Sequence, residues 1–227
     1  MVVHRHFDEE LSTLKQKLIT MAGLAESMIH KAIQSLIKRD ESIFKQVYAE
    51  EKKVNLLEIE IDDLCLKLLA LKQPMATDLR LITSAMKINS ELERIGDMAV
   101  NITECASELI KRPPVKPYID IPRMADLAQR LVRDSLDSFI RQDVNLARSV
   151  LTRDDEIDEL KDQILRELVT FMIGDTSTIP RALQIVLVSR HLERIGDHAT
   201  NIAEDVIYLV QGKDIRHHIE ETGERRK

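Results

Sequence analysis

Apolar residues step along this chain by threes and fours over long stretches, which is the period of an amphipathic helix and not of a strand. From Phe7 to Asp40 the series Leu11, Leu14, Leu18, Met21, Ala25, Met28, Ala32, Ser35 and Leu36 marks a first helix. Asp40 is a good N-cap residue because its short side chain can accept from the free amides of a following turn. It opens a second helix with Ile43, Val47, Val54, Leu57, Ile61, Leu64 and Leu68 on one stripe. Lys72-Gln73-Pro74 breaks that helix, and a third runs from about Met75 to Ile110. Pro113, Pro114, Pro117 and Pro122 then fall within ten residues. Proline removes backbone donors and clashes with helical turns, so this stretch is a linker.

Beyond the linker the plan repeats. Ser35-Leu36-Ile37-Lys38-Arg39-Asp40 has its counterpart in Ser138-Phe139-Ile140-Arg141-Gln142-Asp143. The next helix runs to about Phe171, Gly174 to Pro180 is the break, and a last helix carries Leu183 to Gln211. The strongest mark of duplication is Leu92-Glu93-Arg94-Ile95-Gly96-Asp97, which returns letter for letter as Leu192-Glu193-Arg194-Ile195-Gly196-Asp197. Ala99, Asn101, Ile102 and Glu104 recur as Ala199, Asn201, Ile202 and Glu204. The fold expected is all-α: two tandem, homologous three-helix bundles built from six long amphipathic helices. The first bundle covers residues 1–112, the linker 113–122, the second bundle 123–212, and a polar tail 213–227. Whether the halves are related by a pseudo-two-fold or by a pseudo-translation is not fixed by the pattern.

Composition narrows the function. Aromatics make up 3% of the chain and Trp is absent, so the core rests on Leu, Ile, Val, Met and Ala, as suits helices. A net charge of −6 argues against nucleic acid as a partner, since phosphate binding relies on Lys and Arg. Cys65 and Cys105 stand alone in apolar stretches and read as reduced core thiols. With no secretory leader and no long apolar run, the expectation is a cytoplasmic protein that meets membranes only through partners.

On a helical wheel with Glu93 at zero, Asp97 falls at about 40°, Asn101 at about 80° and Glu104 at about 20°. Leu92, Ile95, Ala99 and Ile102 lie on the opposite side, so the oxygen-bearing row is expected on the outer face of the bundle. Like charges one turn apart cost ~0.2–0.5 kcal/mol on an exposed helix. A mid-helix glycine such as Gly96 or Gly196 costs about 1 kcal/mol more than alanine. Both costs are kept in both halves, which points to a compensating role: a cation site, or a structural or partner-binding face. The preceding helices supply second rows, Asp154 and Asp158 in one half, Glu51 and Asn55 followed by Glu58 and Asp62 in the other. Carboxylate oxygens in parallel rows suit hard cations. On the same wheel His191 falls at about 160° and His198 at about 140°, off that arc. No Glu-x-x-His occurs in the chain, which disfavours a ferritin-like di-iron centre. Arg94 and Arg194, each at about 100° in its own repeat, are placed to pair with carboxylates of a neighbouring helix. No phosphate loop and no nucleophile with an activating base is present, so the chain does not read as an enzyme.

The doubled Glu-Arg-Ile-Gly-Asp-x-x-x-Asn-Ile, each preceded by an acidic helix, together with Thr77-Asp78-Leu79-Arg80, resembles the PhoU family of bacterial phosphate-transport accessory proteins. The resemblance implies two similar three-helix bundles with surface sites for divalent or trivalent metal ions, in multinuclear form in some members: iron, zinc, manganese or magnesium. One site would draw on Glu51, Glu93 and Asp97, the other on Asp154, Asp158, Glu193 and Asp197, with Asn101 and Asn201 contributing amide oxygens. Asn55 stands where the second half has Asp158, which implies weaker binding in the first. The family's role implies a negative regulator of the phosphate-starvation response, an adaptor between the ATPase subunit of a phosphate ABC transporter and a sensor histidine kinase, acting as a homodimer. A metal-storage or metallo-hydrolytic protein, and a metal-free helical scaffold, are the competing readings.

Overall fold

The computed structural model describes residues 2–72, 74–213 and 215. Six long helices carry the chain: α1 (Val2–Lys38), α2 (Phe44–Lys72), α3 (Ala76–Leu109), α4 (Asp120–Arg141), α5 (Val144–Gly174) and α6 (Ile179–Gln211). Among the described residues there is no strand. Nearly all of the polar tail lies outside the described residues.

The first turn of each half is built alike. Arg39 and Gln142 both take the left-handed conformation, each with φ of 55°. The Asp that follows caps the next element: Asp40 accepts from the Ser42 amide, and Asp143 from the Asn145 and Leu146 amides. Hydrogen bonding of this kind favours the ionised carboxylate, and the Asp40 carboxyl is lowered first by its Ser42 contacts. The break before α3 falls where Lys72-Gln73-Pro74 predicts it, and the one before α6 is shorter than the sequence pattern predicts. Gly174 is the last residue of α5, and Pro180 already sits in the first turn of α6, where a missing amide costs nothing. Pro122 lies likewise in the first turn of α4, for the same reason.

Helices α1–α3 pack on one another, as do α4–α6, and the two bundles then meet through α3 against α6 and α1 against α4. Across the seam Lys87 of α3 pairs with Asp205 of α6 at 2.8 Å, and Glu91 with His198 at 2.6 Å. Higher numbers on one helix meet lower numbers on the other, so α3 and α6 run antiparallel. That relation makes the halves pseudo-two-fold partners and excludes a simple translation. The core is continuous through both bundles, from Leu18 and Met28 through Ile61, Ile88 and Leu92 to Phe139, Ile164 and Ile195, all fully buried. Truncating Phe139, one of the largest of these side chains, to alanine would cost about 3–5 kcal/mol. Cys65 and Cys105 are buried free thiols, pushed up to about 12 and about 11 chiefly by burial, which leaves them inert.

Candidate functional site

Two grooves, α2/α3 and α5/α6, hold the carboxylates. In the first, Glu93 and Asp97 of α3 are half-buried against α2, deeper than a solvated outer face. Burial first, then the charges of Asp97 and Glu58, push the Glu93 carboxyl above its ordinary value. Glu58 is raised by burial, then by Asp62 and Asp97. Glu58 therefore faces the Glu93–Asp97 row, with Asp62 one turn further along α2. Asn89 lies one turn before Glu93 and is wholly buried. Its amide donates to the Glu58 carbonyl and to Asp62 Oδ1, each at 2.9 Å, which fixes the α2 row against α3.

Glu51, the α2 residue assigned to this site from sequence, is half-buried farther along the groove. Its neighbourhood is that of Glu104 and Tyr48, whose hydroxyl is raised by burial and then by those two carboxylates. Asn55 is half-buried between these positions. The Asn101 amide reaches the thioether of Met98 at 4.0 Å. Arg94 is exposed, and its charge acts on its own helix, easing Glu91 and Glu93 downward.

The second groove is organised differently. Asp154 is pushed up to about 7, by burial first and then by Asp197, Asp158, Asp155 and Glu193. Asp197 is raised by burial, Glu193 and Asp158, against smaller lowering by His198 and Lys161. The four carboxylates assigned from sequence thus lie near enough to act on one another's charge. Lys161 joins them: its ammonium lies 2.9 Å from Asp158 Oδ1 and 3.1 Å from Glu193 Oε1, and is held above the usual lysine range by the Asp158 hydrogen bond first. Asp154 Oδ1 is shielded from solvent and has no hydrogen-bond partner. It sits directly over Gly196, where a Cβ would come within 2.5 Å of it and within 2.9 Å of Ile157 Cδ1. Close approach between helices therefore accounts for glycine at Gly196. At Gly96 a Cβ would meet Val54 Cγ1 at 3.4 Å, an ordinary contact.

The donor set in both grooves is oxygen only, which fits hard cations. Among the described residues, no three His, Cys, Asp or Glu side chains already converge as a ligand set. A cation would have to draw the rows together, and in the second groove would displace Lys161. The orphaned oxygen and raised carboxyl of Asp154 are the features that fit such a ligand.

Of the two histidines off the carboxylate arc, His198 lies on the seam between the bundles. His198 is buried with Nδ1 at 2.6 Å from Glu91 Oε2, and Asn201 donates to the same oxygen at 3.2 Å. Burial raises the Glu91 carboxyl, but the His198 and Asn201 hydrogen bonds outweigh it and hold the group below its ordinary value. The amide of Asn201 is thus engaged with α3. Glu58 and Asp62 were read from sequence as the continuation of the α2 row but not assigned as ligands, and Lys161 and Glu91 were not read at all. The one-turn carboxylate spacing is what brought Glu58 and Asp62 into that row, whereas Lys161 and Glu91 gave no local signal.

Comparison with known proteins places the chain in a family. The PhoU domain matches residues 18–106 and again 121–206. The chain is 44% identical over 217 residues to the phosphate-specific transport system accessory protein PhoU homolog of Aquifex aeolicus, covering 95% of this chain and 98% of that one. It is 35% identical to the phosphate-specific transport system accessory protein PhoU of Escherichia coli, covering 93% and 88%. The crystal structure of PhoU from Pseudomonas aeruginosa superposes with a TM-score of 0.87 at 41% identity, covering 91% of this chain and 100% of that chain. The phosphate transport system regulatory protein PhoU from Streptococcus pneumoniae gives 0.83 at 27% identity, covering 92% and 98%. With both repeats matched, the described fold shared and the relatives covered nearly end to end, the chain belongs to the PhoU family.

Proposed function

We propose that this protein is an accessory regulator of a phosphate-specific transport system, restraining phosphate uptake and the phosphate-starvation response when phosphate is plentiful. It acts as a cytoplasmic adaptor without catalysis, binding the transporter's ATPase subunit and a sensor histidine kinase, and works as a homodimer. The observation that carries the reading is the family match across both halves, with relatives named for phosphate-specific transport over almost their whole length. No helix among the described residues is long and apolar enough to cross a membrane, which is compatible with contact to membrane proteins through partners. Hard cations occupy the grooves, held by Asp154, Asp158, Glu193 and Asp197 in one, and by Glu93 and Asp97 with Glu51, and with Glu58 and Asp62, in the other. A bound cation would neutralise the carboxylate rows and stiffen the two helices that present them. Tagged protein from phosphate-replete cells should capture both the transport ATPase and the sensor kinase, and deleting the gene should derepress phosphate-responsive expression. Capture of neither, together with unchanged expression on deletion, would overturn the regulatory reading.

A further inference from the structure

Away from the carboxylate grooves, the linker end of the molecule gathers positive charge. Arg39 follows α1, Arg112 follows α3, and Arg181 stands in the first turn of α6. All three meet around the segment from Ile110 to Pro113. Arg39 Nη2 donates to the Ile110 carbonyl and, at 2.8 Å, to the Arg112 carbonyl. Arg181 Nη1 donates to the Pro113 carbonyl at 2.8 Å. The carbonyls just beyond α3, which would repel an anion, are thereby covered by guanidinium groups. Tyr118 shares this neighbourhood: burial pushes its hydroxyl up, and Arg39 and Arg181 are the charges that ease it down. Beside the segment, Glu108, Leu109, Arg112, Pro180, Arg181 and Gln184 line an open cleft of about 110 Å³. At about 30 Å³ per water that is the room of roughly three or four waters, which the four oxygens of a small tetrahedral anion would replace.

The countercharge is missing. Among the described residues none of the three guanidiniums pairs with a carboxylate, and the side chains of Arg112 and Gln184 make no hydrogen bond. Glu108, the one carboxylate lining the cleft, is held by Lys111 at 2.6 Å. Asp175, on which Arg181 acts weakly, accepts from the amide and hydroxyl of Ser177. The first turn of α6 also lacks a side-chain cap, because Thr178 Oγ1 donates to the Phe171 and Asp175 carbonyls instead. The positive end of the α6 dipole adds to the two arginines lining the cleft. We propose that this cleft binds a tetrahedral oxyanion of the phosphate type, held by the Arg112 and Arg181 guanidiniums and the Gln184 amide. A guanidinium presents a planar fork of N–H donors that matches two oxygens of such an anion. Arg39 stands behind the site and keeps the α3 carbonyls covered. Arg112 comes from the first half, Arg181 and Gln184 from the second, so an occupied cleft ties the end of α3 to the start of α6.

Isothermal titration of the full chain in chloride buffer tests the site with two probes, inorganic phosphate and phosphoserine. At least one should bind once per chain with a Kd of about 1 mM or tighter, and the tighter of the two tells a free anion from a phosphorylated side chain. Arg112→Gln and Gln184→Glu should each weaken that binding by about tenfold or more, with helical circular dichroism unchanged. Arg148→Gln, at the far end of α5, removes the same charge and should leave the Kd within about twofold of wild type. The variant Glu93→Ala/Asp97→Ala/Glu193→Ala/Asp197→Ala should also bind as wild type. Failure of both probes to bind, binding indifferent to Arg112→Gln and Gln184→Glu, or an equal loss in Arg148→Gln would overturn the assignment. So would loss of binding in the groove variant, which would put the anion on a groove-bound cation. No transporter or kinase enters the titration, so its failure leaves the regulatory reading standing, and failure of the capture experiment leaves the anion site standing.

Discussion

The α2/α3 and α5/α6 grooves descend from one repeated sequence, yet they manage the same carboxylates in opposite ways. The second groove keeps Asp154, Asp158, Glu193 and Asp197 and inserts its own cation, Lys161, between Asp158 and Glu193. At the position of Lys161 the first groove has Glu58, followed a turn later by Asp62, and it offers Asn89 as a hydrogen-bond donor. Neutral Asn55 in place of Asp158 removes one charge, but Glu58 and Asp62 add two nearby. An internal ammonium can satisfy a carboxylate row without any ligand; a row lacking one depends on burial, amide donors or an external cation to offset its repulsion. The difference teaches that the repeated hexapeptide fixes where negative charge is gathered, while the neighbouring helix decides what balances it.

The largest expected effect on this comparison comes from removing the rows themselves. Elemental analysis of protein purified without chelators should find metal in the wild type and a reduced content in Glu193→Ala/Asp197→Ala and in Glu93→Ala/Asp97→Ala. Combining all four changes should leave none; wild-type content in the combined variant would end the cation reading. Lys161→Met, which removes the internal competitor, should tighten cation binding at the second groove by about tenfold. Unchanged affinity would mean that Lys161 does not compete for the site.

A smaller but cleaner contrast is Gly196→Ala against Gly96→Ala. The first forces Asp154 and Ile157 away from α6 and should destabilise by about 1–3 kcal/mol in urea unfolding. The second meets only an ordinary contact and should be neutral or stabilising by up to about 1 kcal/mol. Equal losses in both would show that the tight approach over Gly196 does not govern packing.

Next in size is the pH response of chelator-treated protein. Folding raises Asp154 from 3.8 to about 7, so the folded state holds a proton that the unfolded chain releases. Below about pH 4 both states are protonated and the group has no effect on stability. Between there and pH 7 the penalty grows, and above it stays constant. Asp154→Asn should therefore match wild type in acid and raise Tm by about 2–4 °C at pH 8, a modest figure because the group is partly solvated. A Tm gain of the same size at pH 3.5 would show that charge is not the cause. The smallest effect is expected at Asn89→Leu, which should lower Tm a little and loosen the Glu58–Asp62 row while leaving the second groove's metal content unchanged.

Much of this architecture could be read from residues. The three-and-four spacing from Leu14 to Leu36 and the Asp40 and Asp143 caps depend on local geometry, and local geometry is written along the sequence. The one-turn pairs Glu93/Asp97 and Asp154/Asp158 were legible for the same reason. What a single-helix wheel does not contain is the identity of the facing helix. It placed His198 off the carboxylate arc correctly, but could not say that the off-arc direction is the antiparallel seam with Glu91. The family resemblance, not the wheel, joined Glu51 to Glu93 and Asp97; on α2 it is Glu58 whose charge acts on both of them. Lys161 was invisible because a lone lysine on a polar face has no pattern of its own until its partners on α6 are known.

The antiparallel pairing of α3 with α6 has a further meaning when the two halves are regarded as molecules. Each half presents to the other the same surface that it receives, which is the geometry of a symmetric pair. The segment from Ile110 to Ile119 then works as a tether: association that would otherwise depend on concentration is held at the high local concentration set by a short chain. Once tied, the halves need no longer be identical to stay together. One could then acquire Lys161 while the other kept Glu58 without the change dissolving the pair.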